Sequence, residues 1–214
     1  MDQPKAPELL SIEQVSDGWL KKYILHYRLP NGREKTYESV SRKDLAKFEA
    51  EMRRPEGTQP TADAVSIVAT TDSDEVLLIK EFRYPMNSWC VALPAGLIDP
   101  GEDIATAVER ELREETGYAI ERRADGTPKL IALPQKSYSS EGMTEECLSI
   151  VRVKAYPAGA QETEPSEFIE VFPLKVTDIP RFLEENTLPM SSRAQLVLES
   201  YADRIGPGSD ACFD

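Results

Sequence analysis

The chain has 214 residues, with 25 Lys and Arg against 38 Asp and Glu, for a formal net charge of −13. That length fits one main domain with an appendage, and the 40% hydrophobic content suffices for a core. So anionic a chain is a poor partner for nucleic acid or an anionic membrane, both of which are held through Lys and Arg. A small phosphorylated substrate is not excluded, provided a divalent cation brings positive charge. His26 is the single histidine, which leaves little room for a His-based triad or a multi-His metal site. Any metal must then be held by carboxylates, the donor set of a hard cation such as Mg2+ or Mn2+. Cys90, Cys147 and Cys212 are widely spaced, with neither a zinc pattern nor a paired disulfide framework. They read as reduced thiols of a cytoplasmic protein, the first two buried in strands. The N-terminal stretch lacks the basic and apolar regions of a signal peptide, and no apolar run approaches the roughly 20 residues of a membrane span.

In chain order, residues 19–41 predict a β-hairpin: aromatic and β-branched residues flank the turn Pro30-Asn31-Gly32. Residues 42–60 are charged, poor in β-branched residues and closed by Pro and Gly, which predicts a short exposed helix or a tether. Strands are expected at 64–70 and 75–83 around the turn Thr71–Asp74, and a single strand at 89–98. A helix follows from Pro100 to about Tyr118. Strands are then predicted near 129–137, 147–156 and 167–176, and helices at 178–186 and 191–204, before a polar tail at 206–214. Strands first, one central helix, more strands and then helices indicate an α+β or αβα sandwich rather than a regular βαβ alternation.

The central helix carries the chemistry. Ile104, Val108 and Leu112 form its buried stripe, and Gly117 supplies its stop. Glu111, Glu114 and Glu115, at i, i+3 and i+4, gather three carboxylates on one side of the last turns. Like charges so placed repel and oppose the helix dipole. A solvated acidic face bears that cost in water, and bound cations relieve it.

From Gly96 to Tyr118 the residues fit the pattern G-x5-E-x7-R-E-U-x-E-E-x-G-U at each fixed position, with Tyr118 in the last aliphatic place. The chain thereby resembles Nudix hydrolases, which cleave nucleoside diphosphates linked to another moiety. The resemblance implies a Nudix-type αβα sandwich with a mixed sheet, and hydrolysis dependent on Mg2+ or Mn2+. It implies Glu111, Glu114, Glu115 and the backbone carbonyl of Ala95 as metal ligands, with Arg110 paired to Glu102 across the loop and helix.

Looser similarity over residues 19–193 narrows the subgroup. Lys80-Glu81-Phe82-Arg83-Tyr84-Pro85 and Leu93-Pro94-Ala95-Gly96 resemble segments of ADP-ribose and ADP-sugar pyrophosphatases, as do Gly18-Trp19 and Tyr37-Glu38-Ser39-Val40-Ser41-Arg42. This implies cleavage of ADP-ribose to AMP and ribose 5-phosphate by a homodimer. Arg83, Trp19, Tyr37, Arg42 and Glu146 would contact substrate, Glu114 and Arg110 would serve the catalytic centre, and Glu167, ahead of a strand on the loop 158–167, would be the general base. The implied organisation is a dimerising hairpin region and linker over 1–60, the hydrolase domain over 61–205, and the tail. Rival readings are a GDP-mannose or UDP-sugar hydrolase and a non-catalytic ADP-ribose sensor. Two departures stand out: Glu141 replaces the subgroup's proline in the loop Ser139–Glu146, and the 42–60 linker is long.

Overall fold

The computed structural model describes residues 5–205, so the expected polar tail and Cys212 lie outside the described residues. The described residues divide into two compact units, residues 5–63 with 135–148, and residues 64–134 with 149–205.

In the first unit, strands β1 (Glu8–Gln14), β2 (Lys21–Arg28) and β3 (Glu34–Ser41) form an antiparallel sheet in that order. Gly32, at φ +81°, closes the expected β2–β3 turn, a conformation that costs glycine no Cβ clash. The period-two alternation puts Tyr23, Leu25 and Tyr27 on one face. Helix α1 (Leu45–Met52), capped by the Asp44 carboxylate on the Lys47 amide at 2.9 Å, covers that face. Phe48 is fully buried, its ring stacked on Tyr23 with centroids 4.2 Å apart.

Two expectations are corrected here. The hairpin is a three-stranded sheet, because the weakly patterned residues 8–14 gain their strand character by pairing with β2. The segment expected as an exposed helix or tether is instead a packed helix: Leu45, Phe48 and Met52 recur at helical spacing, and the last two join the buried cluster.

The second unit is a sandwich. Its sheet contains β4 (Ala64–Thr70), β5 (Glu75–Arg83), β6 (Ser88–Ala92), β7 (Ala95–Leu97), β8 (Tyr118–Ile120), β9 (Leu130–Ala132), β11 (Cys147–Pro157) and β12 (Ile169–Lys175). The first two residues of β11 belong to the first unit, where β10 (Ser137–Tyr138) pairs with them. β5 pairs antiparallel with β12 over seven residue pairs and with β6 over five. β4 and β11 are neighbours that advance together: the Asp63 amide meets the Cys147 carbonyl, and the Thr70 hydroxyl reaches the Val153 carbonyl. They are therefore parallel, and the sheet is mixed.

Helix α2 (Ile104–Thr116) covers one face through Ala107, Val108 and Leu112, packed on Val65, Ile67, Ala69, Val151 and Val153. Helices α3 (Ile179–Glu185) and α4 (Ser192–Ile205) cover the other, where Ile179, Ala194 and Leu198 meet Val68, Val76, Leu78 and Val91. Among the described residues no helix is long and apolar enough to cross a membrane. Cys90 and Cys147 are buried free thiols on strands.

Three further expectations shift. The single strand at 89–98 is two, broken at Leu93-Pro94 because proline has no amide for a ladder. The central helix begins at Ile104 rather than Pro100, since Asp103 is its cap and Gly101, at φ +87°, lies in the preceding turn. Tyr118, expected as the helix end, opens β8 after the left-handed Gly117 stop.

Candidate active site

The loop from β7 into α2 is held by one arginine. Arg110 donates through Nε and Nη2 to both Glu102 carboxylate oxygens at 3.0 and 2.9 Å, and Nη2 also reaches the Leu97 carbonyl at 2.9 Å. Its Nη1 donates to Glu111 at 2.7 Å and to Glu114 at 3.3 Å. These bonds employ each of the five guanidinium N–H groups. Glu102 in turn accepts from the Asp99 amide at 3.0 Å, so the loop is closed at both ends. The Arg110 bonds hold the Glu102 carboxyl below its ordinary range.

The helix carboxylates differ in setting. Glu115 is 5% exposed and accepts from the Ala95 amide at 2.9 Å. Burial, with the charges of Glu111, Glu81 and Glu167 beside it, pushes its carboxyl well above the usual range. Glu111 is also buried and also raised, chiefly by burial, against the opposing effect of Arg110. Glu114 is half exposed at the edge of the group. Gly96 is what lets Glu111 lie so close to β7: a Cβ there would stand 1.9 Å from its carboxyl carbon.

Among the described residues no three acidic, histidine or cysteine side chains converge on a single coordination point. Glu115 is turned to Ala95, while Glu111 and Glu114 are turned to Arg110. The donor chemistry nonetheless suits a hard divalent cation. The side-chain donors are all carboxylate oxygens, two of them buried where the ionised form is disfavoured without a compensating charge.

The loop after β11 docks on the end of α2. The amides of Ala158 and Gly159 donate to the Gly117 carbonyl at 2.9 and 3.0 Å, and the Glu162 amide donates to the Glu114 carbonyl at 2.9 Å. Gln161 bridges the Glu115 and Ile169 carbonyls, and Arg113 pairs with Glu162 at 2.9 Å. Glu167, exposed, accepts from the Glu164 amide at 3.0 Å and folds back on its own loop. Its charge is felt at both Glu111 and Glu115. Arg83 lies at the exposed end of β5, paired with Glu81 at 2.5 Å.

Within the second unit the structure thus gathers Glu102, Arg110, Glu111, Glu114, Glu115, Ala95 and the loop of Glu167. Sequence reasoning missed Glu81, Arg113 and Gln161. Glu81 stood inside a segment already singled out, and Arg113 inside the glutamate pattern itself; Gln161 left no signal.

The remaining candidates belong to the first unit. Arg42 and Glu146 pair with each other, and Tyr37 donates its hydroxyl to the Gly142 carbonyl at 2.8 Å. Ser41 and Lys43 hold Glu145 at 2.6 and 3.1 Å. The loop Ser139–Glu146 is therefore tied to β3 and the residues after it. Trp19 is 77% exposed in the β1–β2 connection.

A mixed sheet between helix layers, with a carboxylate helix locked to a glycine loop by one arginine, defines a Nudix hydrolase fold. Residues 60–192 match the NUDIX domain, and the chain belongs to that family of hydrolases, enzymes that generally depend on divalent metals. It is 31% identical over 188 residues to the ADP-ribose pyrophosphatase of Saccharomyces cerevisiae, covering 84% of this chain and 74% of that protein. It is 33% identical over 178 residues to the ADP-sugar pyrophosphatase of Mus musculus, covering 79% and 73%. In fold it is similar to the crystal structure of an ADP compounds hydrolase, with a TM-score of 0.68, 22% identity, and coverage of 95% and 96%.

Proposed function

We propose that this enzyme hydrolyses the diphosphate bond of an ADP-sugar, with ADP-ribose giving AMP and ribose 5-phosphate. The observation that carries the reading is the buried, Arg110-braced glutamate set of α2, in a chain related to ADP-ribose and ADP-sugar pyrophosphatases. Water adds across the P–O–P bridge: its oxygen goes to one phosphorus and its protons end on the two phosphate products.

Glu111, Glu114, Glu115 and the Ala95 carbonyl would hold Mg2+ or Mn2+. A divalent cation so held neutralises diphosphate charge and acidifies water. Arg110 is a positioning residue, its donors committed to Glu102, Glu111, Glu114 and Leu97. Arg83 would exchange Glu81 for a phosphate oxygen, and Glu167 would accept the water proton, being a carboxylate outside the ligand set. Trp19, Tyr37, Arg42 and Glu146 would bind the nucleotide. The proposed organisation is a dimerising region over 1–60 and a hydrolase domain over 61–205, working as a homodimer in the cytoplasm. The buried free thiols Cys90 and Cys147 support a reducing compartment.

The deciding experiment incubates the full chain with Mg2+ and a panel of ADP-sugars, GDP-mannose, UDP-sugars and nucleoside triphosphates, and identifies products by chromatography. AMP and ribose 5-phosphate from ADP-ribose are expected to appear fastest. Faster turnover of GDP-mannose or a UDP-sugar would overturn the substrate assignment.

A further inference from the structure

The second unit carries another charged cavity, on the sheet face opposite α2. It has a volume of about 340 Å³ and is bordered by Arg123, Lys129, Arg152 and Lys154, with Ile131 and Tyr201 among its remaining neighbours and no acidic residue in its wall. Four cations around one concavity is a marked local reversal in a chain of net charge −13.

The strand register explains how they meet. On β11, Val151, Val153 and Ala155 point into the α2-side core, so Arg152 and Lys154 alternate to the other face. Ile131 of β9 pairs directly with Arg152 and shares that face, and Tyr201 of α4 approaches from the helix layer.

This charge is only partly cancelled locally. Arg123 donates to neutral groups, the Pro128 carbonyl at 2.6 Å and the Thr127 hydroxyl at 3.4 Å, while its charge is also felt at Asp125. Lys154 donates to the Thr71 carbonyl at 3.1 Å and stands 4.0 Å from the largely exposed Asp72. Only Lys129 has a close carboxylate, Glu121 at 2.9 Å. Arg152 has no hydrogen bond or ion pair among the described residues, and the side chain facing it across the ladder, Ile131, is 57% exposed. An unspent guanidinium beside an exposed apolar side chain, in a cationic concavity that focuses the field, suits an anion with an apolar body.

We propose that this cavity is a second, non-catalytic binding site for a phosphate dianion, carried by a small phosphomonoester or present as free inorganic phosphate. Arg152 and Lys154 bind the phosphate oxygens, Arg123 and Lys129 add field, and Ile131 with Tyr201 packs against whatever the phosphate carries. The proposal does not depend on which nucleotide the α2 site cleaves.

The test titrates the full chain, in chelator so that cation-dependent phosphate binding is silent, with AMP and separately with inorganic phosphate. Amide shifts are read by NMR. Saturable shifts are expected in residues 68–70, 129–132 and 152–154. Tighter binding of AMP assigns the site to phosphomonoesters, and equal binding assigns it to free phosphate. Arg152→Ala, an exposed and unpartnered position, should weaken binding about tenfold or more, as loss of a charge-assisted bond does, and leave kcat unchanged. Lys154→Gln should weaken it as well, and gives a second reading if the first variant folds poorly. Absence of a saturable shift in those amides up to about 10 mM, weaker than any specific site, would overturn the proposal. So would an equal loss in Arg181→Ala, an exposed arginine on α3 outside the cavity, since that would mark a bulk charge effect.

Discussion

Gly96 shows how tightly the glutamate cluster is built. Its Cα lies where any side chain would collide with Glu111, so Gly96→Ala forces the buried carboxylate aside. A displacement on the order of 1 Å in a catalytic array can cost about 10²-fold, and that loss in kcat/KM is expected with the chain still folded by circular dichroism. The carboxylates themselves separate activity from stability. Glu111→Gln or Glu115→Gln should lower kcat by at least roughly 10²-fold, because a charge proposed to hold the cation is gone. In chelator the same variants should melt no lower than the parent. The amide oxygen still accepts from Arg110 or Ala95, and a buried charge among like charges has been removed. Near-normal turnover in both would remove the glutamates from the metal site. For the base, Glu167→Gln should reduce kcat by about 10²–10⁴ with metal affinity unchanged. Wild-type kcat in that variant, with loss in Glu164→Gln, would place the base three residues earlier in the chain.

At the scale of elements, α2 depends on both of its ends. The Asp103 carboxylate caps the Thr106 amide at 2.8 Å, and that bond holds its carboxyl below the ordinary range. A depressed folded-state value means stability that is present above the unfolded value and lost as pH falls through the folded one. Asp103→Ala should therefore melt lower than the parent at neutral pH, and the difference should close as the solution is acidified below the ordinary aspartate range. A gap that persists unchanged into acid would show that the cap is not what the residue supplies.

This helix was the most legible part of the chain, since its apolar stripe, glycine stop and glutamate spacing are all local. What misled was also local. Pro100 and Glu102 resemble a helix start, but Gly101 takes a left-handed turn and Glu102 is needed for Arg110, so the helix waits for Asp103. β1 and β8 escaped notice because each is a strand by virtue of its partner rather than its residues. The loop 158–167 was legible as a loop, but its anchoring by Gln161 and Arg113 was not. Contacts between residues some fifty positions apart leave no periodic trace in the sequence.

For the whole molecule the open matter is assembly. A lone hairpin would need a partner to cover its apolar face, but here α1 closes that face within its own unit through Phe48, so the sheet itself gives no reason for a dimer. A different reason replaces it. Val15, Trp19 and Leu20, in and around the β1–β2 connection, are 50%, 77% and 53% exposed. Bulky apolar side chains grouped on a surface commonly mark a contact site, and tryptophan is enriched among residues that dominate such contacts. If a second copy covers them, sedimentation of the 23.9 kDa chain should give the mass of a dimer at assay concentrations. Trp19→Ala should then shift the equilibrium toward monomer. If Trp19 also stacks on the adenine of the substrate, a contact worth about 1–3 kcal/mol, KM should rise several-fold or more at protein concentrations high enough to restore the dimer. Those two readouts separate the roles: loss of assembly alone assigns Trp19 to the contact, and a raised KM in the restored dimer assigns it to the nucleotide as well. A wild-type chain that sediments as a monomer while fully active would end the proposal that the site needs two copies.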